Sequence, residues 1–415
     1  MMSLHALAGR LLRPDHRFAH HLLAALLALL LSACATTPAP TPQACPAAPA
    51  CAPCPVCPTP PAPPPPPAKP LEPARWEELP GWREARLGPA HAAFLESCKA
   101  LARRPAWLHV CQRARELEGA DEAALRRFYE TEFAPFQLVN PDGSRDGLIT
   151  GYYEPVLKGA RSRDRKNRYP VYGVPDDLLV IDLGELYPEL KAMRLRGRLD
   201  GRKVVPYYSR AELEQRAPQL RDKVLYWVED PIELFFLQIQ GSGQIQLADG
   251  SRVRIGYADQ NGHPYRSVGR YLINNGGLPA EQASMQGIKA WARANPQRLD
   301  ELLNTNPSFV FFRDIPLDSA GPLGALGVPL TPARSLAVDP RTTPLGAPVY
   351  LDTTRPGADE PLRQLMVAQD TGGAIKGPVR ADFFWGLGPE AGALAGNMKQ
   401  SGRMWVLLPP ALAPR

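Results

Sequence analysis

Three aspartates, Asp339, Asp370 and Asp382, lie in a glycine-rich region near the C-terminus of the 415-residue sequence. Glycines allow the backbone to approach a ligand closely and to adopt positive φ values. Carboxyl groups beside apolar residues suit proton transfer, because burial raises the pKa of an acid. These three side chains are therefore the candidates for acid/base chemistry.

The neighbours of each aspartate favour different roles. Asp382 is followed by the aromatic residues 383–385, which would desolvate it and raise its pKa, while Arg380 shares its strand face and would lower that pKa. Asp339 precedes a proline and is typical of a turn. Asp370 is either a structural hydrogen-bond acceptor for the glycine loop or a charge that stabilises a cationic transition state. The local sequence alone distinguishes the three only weakly.

Other enzyme classes fit the sequence less well. Asp370-Thr371-Gly372 matches the triplet of aspartic proteases, but these enzymes need two triplets or a dimer, and a second triplet is absent from the sequence. A metalloenzyme is disfavoured because His263 has no partner at ligand spacing and no His-Glu-x-x-His motif occurs. We expect His263 to form hydrogen bonds within the fold, and we predict neither a metal nor another cofactor.

Local patterns predict the elements that position these residues. Residues 88–133 have helical spacing, and from about Gly147 the pattern changes to that of strands. Ser209-Arg210-Ala211-Glu212 is a capping box that opens a short helix. Residues 235–240 are predicted to form a strand.

The second half of the chain is predicted to be mixed. Residues 244–247 and 252–257 flank a turn that contains Asp-Gly, which indicates a hairpin. Helices are expected from Ser267, Pro279 and Pro296, and short strands from Phe309 onward. The fold class is therefore mainly β, with helices at the N-terminus and in the middle.

The first 34 residues have the pattern of a targeting segment. Arginines precede an apolar run at residues 22–31, which is too short to span a bilayer and ends in Leu-Ser-Ala-Cys34. The sequence Leu-Ser-Ala-Cys34 resembles the lipobox of bacterial lipoproteins, in which the cysteine is acylated. The alternative is an ordinary signal peptide. Ala35 rather than Asp follows, which by resemblance to enterobacterial lipoproteins favours a lipid anchor on the periplasmic face of the outer membrane.

Residues 35–73 are rich in proline and predict a polyproline II linker, with a reach on the order of 100 Å. Its four cysteines, which follow a period of three, are Cys45, Cys51, Cys54 and Cys57. They form either a metal or disulfide cluster or part of a low-complexity tract, and the absence of histidines and of a folded scaffold favours the second. Cys98 and Cys111 lie on adjacent predicted helices in an oxidising compartment, which predicts a disulfide.

Several further motifs occur in the order typical of one known family. They are Thr150-Gly151-Tyr152-Tyr153-Glu154-Pro155, Gln238-Ile239-Gln240-Gly241-Ser242-Gly243, Asn261-Gly262-His263-Pro264-Tyr265-Arg266-Ser267, Asn306-Pro307-Ser308-Phe309-Val310-Phe311-Phe312 and Gly388-Pro389-Glu390-Ala391-Gly392. On these residues and the three aspartates, the chain resembles the membrane-bound lytic murein transglycosylase A family, whose 3D domain is named after three aspartates. The resemblance covers roughly residues 76–408.

The resemblance implies a double-psi β-barrel domain built from both chain ends, residues 74–155 and 313–415, with the 3D region at about 335–408. Residues 156–312 would form an inserted β-rich domain, and a glycan would bind in the groove between the two. The family pattern makes Asp382 the catalytic residue, with Asp370 in support. The residues expected to bind substrate are Thr150, Tyr152, Tyr153, Gln238, Gln240, Ser242, Asp339 and Lys376. Aromatic residues such as Trp385 are either sugar-stacking platforms or core, and core is favoured.

The implied activity is lytic cleavage of peptidoglycan between N-acetylmuramic acid and N-acetylglucosamine, which leaves 1,6-anhydromuramoyl ends. The expected partners are peptidoglycan strands and, through the anchor, the outer membrane, and the catalytic domain is expected to be monomeric. The net charge of +6, without a block of Lys and Arg, suits an anionic glycan and not nucleic acid. The rival interpretation is a lipoprotein that binds the wall without catalysis.

If Cys34 carries the anchor, Cys34→Ala will release the protein from the membrane fraction, because acyl chains supply the membrane affinity. The measurement is fractionation of cells that express either form, followed by a salt wash of the membranes. A variant that stays with the washed membranes would contradict the lipoprotein prediction.

Overall fold

The computed structural model describes residues 69–190, 193, 195–317 and 321–414. The predicted lipidation site Cys34, the targeting segment and the linker cysteines lie outside the described residues. Pro65–Arg415 forms one structural unit. Within the described residues, no helix is long and apolar enough to cross a membrane.

The described residues contain seventeen strands and nine α-helices. The strands are β1 (Leu71–Pro73), β2 (Ala134–Leu138), β3 (Gly147–Glu154), β4 (Val156–Ala160), β5 (Tyr169–Tyr172), β6 (Leu179–Ile181), β7 (Leu195–Asp200), β8 (Lys203–Pro206), β9 (Val224–Val228), β10 (Ser242–Gln246), β11 (Arg252–Gln260), β12 (Val310–Ile315), β13 (Ser335–Val338), β14 (Pro348–Thr354), β15 (Pro361–Asp370), β16 (Arg380–Leu387) and β17 (Lys399–Leu408). The helices are α1 (Gly88–Leu101), α2 (Pro105–Glu116), α3 (Glu122–Glu132), α4 (Arg210–Gln215), α5 (Pro231–Gln240), α6 (Val268–Asn274), α7 (Met285–Ala294), α8 (Leu299–Asn304) and α9 (Gly388–Asn397). The predicted mixture of strands and helices is confirmed.

The largest sheet has the strand order β1-β2-β17-β14-β15-β13-β16-β3. Because β3 also pairs with β17, six of its strands form a closed ring of pairings, and β2 and β1 extend from β17. A closed ring leaves no edge along which a strand can slip or pair with another molecule. The ring combines β3 from the first half of the chain with β13 to β17 from the last part.

The segment between β3 and β13 folds around a second sheet. Its strand order is β12-β11-β10-β4-β9-β5, and a small sheet of β6, β7 and β8 accompanies it. Helices α5, α6, α7 and α8 pack together around buried apolar residues, which include Phe235, Phe236 and Leu272. β4 begins two residues after β3 ends, so the two sheets meet at Pro155.

The three N-terminal helices pack against the ring. Gln369, which is buried in β15, donates hydrogen bonds to the carbonyl oxygen of Ala93 (2.9 Å) and to Ser97 Oγ (3.0 Å) on α1. Its Oε1 accepts a hydrogen bond from Ser335 Oγ at 2.5 Å. Buried polar groups are stable only when they are hydrogen-bonded, so this network fixes α1 to β15 and β13.

Several local predictions are confirmed. Helices occupy most of residues 88–133, and β10 and β11 pair as the predicted hairpin. The capping box of Ser209 and Glu212 is present at the start of α4. His263 Nε2 lies 2.7 Å from the carbonyl oxygen of Tyr207, which is a contact within the fold as expected.

The predicted strand at residues 235–240 is wrong, because these residues belong to helix α5. Asp230 caps the helix by accepting hydrogen bonds from two backbone N–H groups, and Pro231 occupies its first turn. Gly241 ends it with a φ of 80°. Buried residues lie on several sides of this helix, so its apolar run has no clear helical periodicity and looks like a buried strand.

Two boundaries and one further element also differ from the sequence-based expectations. Residues 71–73, within the predicted linker, form β1 and pair with β2. The helix expected from Pro279 begins as an α-helix only at Met285. Helix α9 lies in the region where short strands were expected, since its glycines and alanines resemble loop composition.

The structure joins Cys98 and Cys111 in a disulfide between α1 and α2, with the two Cα atoms 5.4 Å apart. We predict that the Cys98→Ala/Cys111→Ala variant will lose about 3 kcal/mol of unfolding free energy, because opening a loop of this length restores entropy to the unfolded chain. Urea denaturation of both forms provides the measurement, and wild type with a reducing agent is the control. Equal midpoints for all samples would contradict a bond in the native protein.

Candidate active site

Strand register brings Asp370 and Asp382 together. Ala337 on β13 pairs with Asp370 on β15 and with Asp382 on β16. On the far side of β16, Asp382 pairs with Thr150 on β3. Paired residues on adjacent strands project from the same face of a sheet, so Asp370, Ala337, Asp382 and Thr150 form one row across four strands. We call these four residues the aspartate row.

An irregularity in one ladder completes the aspartate row. Leu336 pairs with Ala368, so a regular ladder would place Gln369 opposite Ala337; the register shifts here, and Asp370 takes that place. A shift of one residue exchanges the faces of a strand. As a result, Gln369 is buried against α1 while Asp370 joins Asp382.

Asp382 accepts fewer hydrogen bonds than Asp370 does. Its Oδ1 accepts one hydrogen bond, from Thr150 Oγ1, at 2.6 Å. Burial raises the pKa of Asp382, although the hydrogen bond from Thr150 and the charge of Arg380 act in the opposite direction. Arg380 directs its guanidinium to the carbonyl oxygens of Leu148 and Ala381. Asp382 therefore keeps its proton to a higher pH than an ordinary aspartate and can donate it.

Asp370 is held by three donors. Its Oδ1 accepts hydrogen bonds from the backbone N–H groups of Ala325 and Thr371, both at 2.9 Å, and its Oδ2 accepts one from the Tyr152 hydroxyl at 3.1 Å. Burial raises its pKa to about 6; the three hydrogen bonds oppose this effect, and the charge of Asp382 adds to it. The two carboxyl groups are thus close enough to influence each other's titration.

Asp339 lies outside the aspartate row, in a turn directly after β13, as its sequence predicted. It is buried, and its carboxylate accepts hydrogen bonds from the Arg341 side chain, the shortest at 2.6 Å, and from the backbone N–H of Gly377 at 2.8 Å. Burial alone would raise its pKa, but these partners outweigh it and lower the pKa to about 2. This charge therefore anchors the loop that carries Gly377, and Lys376 is exposed on the same loop.

Of the other residues expected to bind substrate, one joins α5 to β3 and the rest have, within the part of the chain that the structure describes, no hydrogen bond to the aspartate row. Gln240 Oε1 accepts a hydrogen bond from the backbone N–H of Tyr153 at 3.0 Å, which joins the end of α5 to β3. Gln238 is buried on α5, and Ser242 is partly exposed at the start of β10. Among the described residues, no hydrogen bond joins Gln238, Ser242 or Lys376 to either aspartate of the row.

The aromatic residues beside the aspartate row are mainly core. The Tyr152 ring packs on Phe384, with centroids 5.1 Å apart, and Tyr153 packs on α9. Trp385 lies so close to Gly151 that a Cβ there would come within 2.8 Å of the indole. Gly151 is therefore required for this close packing, and Trp385 is held between β3 and α9.

Sequence reasoning missed Ala337, Ala325 and the pairing of Glu154. Glu154 ends β3, is buried, and forms an ion pair with Arg254 on β11 at 2.8 Å. Glu154 belongs to the motif at residues 150–155, and a charged residue at the end of an otherwise uncharged strand could have indicated a buried ion pair. Ala337 matters through its strand register, and Ala325 matters through its backbone N–H group. Neither contribution depends on the type of side chain, so the sequence could not have indicated it. In the described part of the chain, no group of three His, Cys, Asp or Glu side chains could hold a metal ion.

Two buried carboxyl groups with raised pKa values on one face of a sheet form a candidate general acid/base site, and glycan-cleaving enzymes use pairs of carboxyl groups in this way. Known proteins with similar sequences share this architecture. A family model described as the MltA specific insert domain matches residues 148–313, and a 3D domain model matches residues 334–408. The membrane-bound lytic murein transglycosylase A of Escherichia coli K12 is 36% identical over 297 residues, which are 70% of this chain and 72% of that protein. The chain therefore belongs to the membrane-bound lytic murein transglycosylase A family, and the resemblance drawn from its motifs is confirmed.

Solved structures agree with this assignment. MltA from Neisseria gonorrhoeae is similar with a TM-score of 0.71 and 41% sequence identity, over 83% of this chain and 94% of that chain. E. coli MltA with bound chitohexaose is similar with a TM-score of 0.62 and 29% identity, over 84% of this chain and 93% of that chain.

The raised pKa of Asp370 predicts a stability effect with a definite sign. The pKa is 3.8 for an ordinary aspartate and about 6 in the fold, so the folded protein binds more protons between these values. The stability that Asp370 contributes is complete below pH 3.8 and is lost as the pH rises through about 6.

Asp370→Asn stays uncharged at every pH and lacks this loss. We therefore expect its unfolding free energy, relative to wild type, to rise by on the order of 1–3 kcal/mol between pH 4 and pH 7. The measurement is denaturation of both proteins at a series of pH values. A constant offset between them would mean that the carboxyl group titrates normally.

Proposed function

We propose that this protein is a lytic transglycosylase of the bacterial cell wall. It cleaves the β-1,4 bond between N-acetylmuramic acid and N-acetylglucosamine in peptidoglycan and forms 1,6-anhydromuramoyl ends during wall turnover. The observation that carries the proposal is the aspartate row, in which two buried carboxyl groups, both with raised pKa values, face the same side of the sheet. The family and the glycan oligomer bound to its E. coli member support the choice of a glycan substrate.

One carboxyl group is sufficient for this reaction. Asp382 donates its proton to the glycosidic oxygen as the bond from that oxygen to C1 of N-acetylmuramic acid breaks, which gives an oxocarbenium-like state. The Asp382 carboxylate then takes the proton of the C6 hydroxyl of the same sugar as its oxygen attacks C1. The acid is regenerated, and no water is consumed.

Two neighbouring residues assist Asp382, one by holding its carboxyl group and the other by its charge. Thr150 fixes the carboxyl group through its 2.6 Å hydrogen bond, which strengthens when Asp382 becomes a carboxylate. Asp370 supports the reaction with its negative charge, which stabilises the developing cation on the sugar. Its three donors oppose the effect of burial, and with a pKa of about 6 Asp370 is charged near neutral pH.

The ring of six strands supports a double-psi β-barrel built from both chain ends, with residues 156–312 as the inserted domain. β1 pairs with β2, so we extend the barrel domain to begin near Leu71 rather than at residue 74. The glycan binds in the groove between the domains, with residues 150–153 and 238–243 as walls. The hydrogen bond from Tyr153 to Gln240 supports this, because it brings the two segments together.

The sequence and the name of the relatives support the location. An acyl group on Cys34 anchors the protein to the periplasmic face of the outer membrane, and the relatives are named as membrane-bound. The catalytic unit acts as a monomer. The proline-rich residues that precede β1 let it reach the wall from the membrane.

Asp382→Asn tests the mechanism, because the amide keeps the size of the side chain and cannot donate and recover a proton. We expect release of anhydromuramoyl products to fall by ~10⁴-fold or more, at the upper end of general acid/base effects, since one residue performs both steps. Glycan binding should be retained because the groove is unchanged. Mass analysis of digested glycan and a wall-binding assay measure the two properties.

The matched control is Asp370→Asn, which makes the same change at the neighbouring position and should cost less activity. Near-full turnover by Asp382→Asn with an inactive Asp370→Asn would reverse the two roles. Ordinary reducing ends from wild type would identify water as the nucleophile and the protein as a hydrolase. Wall binding by wild type without any cleavage would support the non-catalytic alternative.

A further inference from the structure

A cleft of about 610 Å³ lies on the segment between β3 and β13. Its lining residues are Tyr265, Arg266, Ser267, Arg270, Tyr271 and Thr305. None of these residues contacts the two carboxyl groups of the aspartate row through a hydrogen bond, so the mechanism above does not use them. The cleft is open to solvent and presents two guanidinium groups and two aromatic rings.

Buried polar groups hold the loop before α6 in place. Asn261 is fully buried, and its side chain donates to the carbonyl oxygens of Tyr208 (2.9 Å) and Pro307 (2.8 Å). Asn306 is buried too, and its Oδ1 accepts a hydrogen bond from the backbone N–H of Arg266 at 3.0 Å. The backbone that carries Arg266 is thus fixed, which lowers the entropic cost of binding a ligand there.

The two arginines of the cleft have no acidic partner among the described residues. Glu301 on α8 is engaged by the Arg298 guanidinium at 2.9 Å and by the hydroxyl of Tyr271. The hydrogen bond from Arg298 leads the effects that lower the pKa of Glu301 to about 2, so it is charged and occupied. Arg266 and Arg270 therefore give the cleft a positive charge, which favours the binding of an anion.

We propose that this cleft binds carboxylate groups of the peptide stems that peptidoglycan carries, an assignment that rests on the proposed function. A guanidinium group matches a carboxylate in geometry and forms paired hydrogen bonds with it. A stem peptide bears several carboxylates separated by short apolar side chains, and the rings of Tyr265 and Tyr271 offer apolar surface beside the two cations. The enzyme accordingly prefers glycan strands that carry peptides over strands without them.

The test removes the two charges in the full chain. Arg266→Gln/Arg270→Gln should bind a free tetrapeptide stem at least tenfold more weakly than wild type in a calorimetric titration. The control variant is Arg221→Gln, which removes an exposed arginine that lies outside the cleft and has no acidic partner in the described part of the chain. It should bind like wild type, and a stem with amidated carboxyl groups should bind weakly to every form.

Activity on two substrates separates the cleft from the catalytic site. The double variant should lose about five- to tenfold in kcat/KM on peptide-bearing strands and keep its activity on strands stripped of peptide by an amidase. Equal loss on both strands would overturn the proposal, because the cleft would then contact the glycan or support the fold. Equal competition by inorganic phosphate and the tetrapeptide would also overturn it in favour of a general anion site. If wild type cleaves neither strand, the proposed function fails, and the calorimetric titration still decides whether the cleft binds carboxylates.

Discussion

The pairing of Ala337 with two aspartates at once is the constraint on which the site depends. Ala337 lies on β13 between β15 and β16, and its register determines which residues of these two strands share its face of the sheet. A slip of one position would bring Gln369 into the row and turn Asp370 toward α1. The ring closed by β3 and β17 prevents such a slip, because moving one strand would disturb every other ladder in the ring.

The two carboxyl groups share one environment but not one set of donors. Burial raises the pKa of both. Asp370 has three donors, which favour its charged form, whereas Asp382 has one. This difference in donors supports the proposed roles, in which Asp382 exchanges the proton and Asp370 supplies a charge.

Sequence patterns predicted what is local. The helices before residue 133, the capping box of α4 and the β10–β11 hairpin depend on neighbours in the chain, and the structure has all of them. Helix α5 was missed because apolar residues on several sides remove the periodicity by which a helix is recognised. The register shift before Ala337 and the pairing of Glu154 with Arg254, 100 residues apart, depend on distant parts of the chain and give no local signal.

The side chains of β3 alternate between two faces, and through them β3 contacts the aspartate row, the second sheet and α9. On one face, Thr150 donates to Asp382, Tyr152 donates to Asp370, and Glu154 pairs with Arg254 of the second sheet. On the other face, Gly151 and Tyr153 pack against α9. A buried ion pair holds its position firmly, because separating the two charges leaves each one unpaired in a poor solvent. β3 therefore connects the second sheet to both carboxyl groups through the side chains on one face of a single strand.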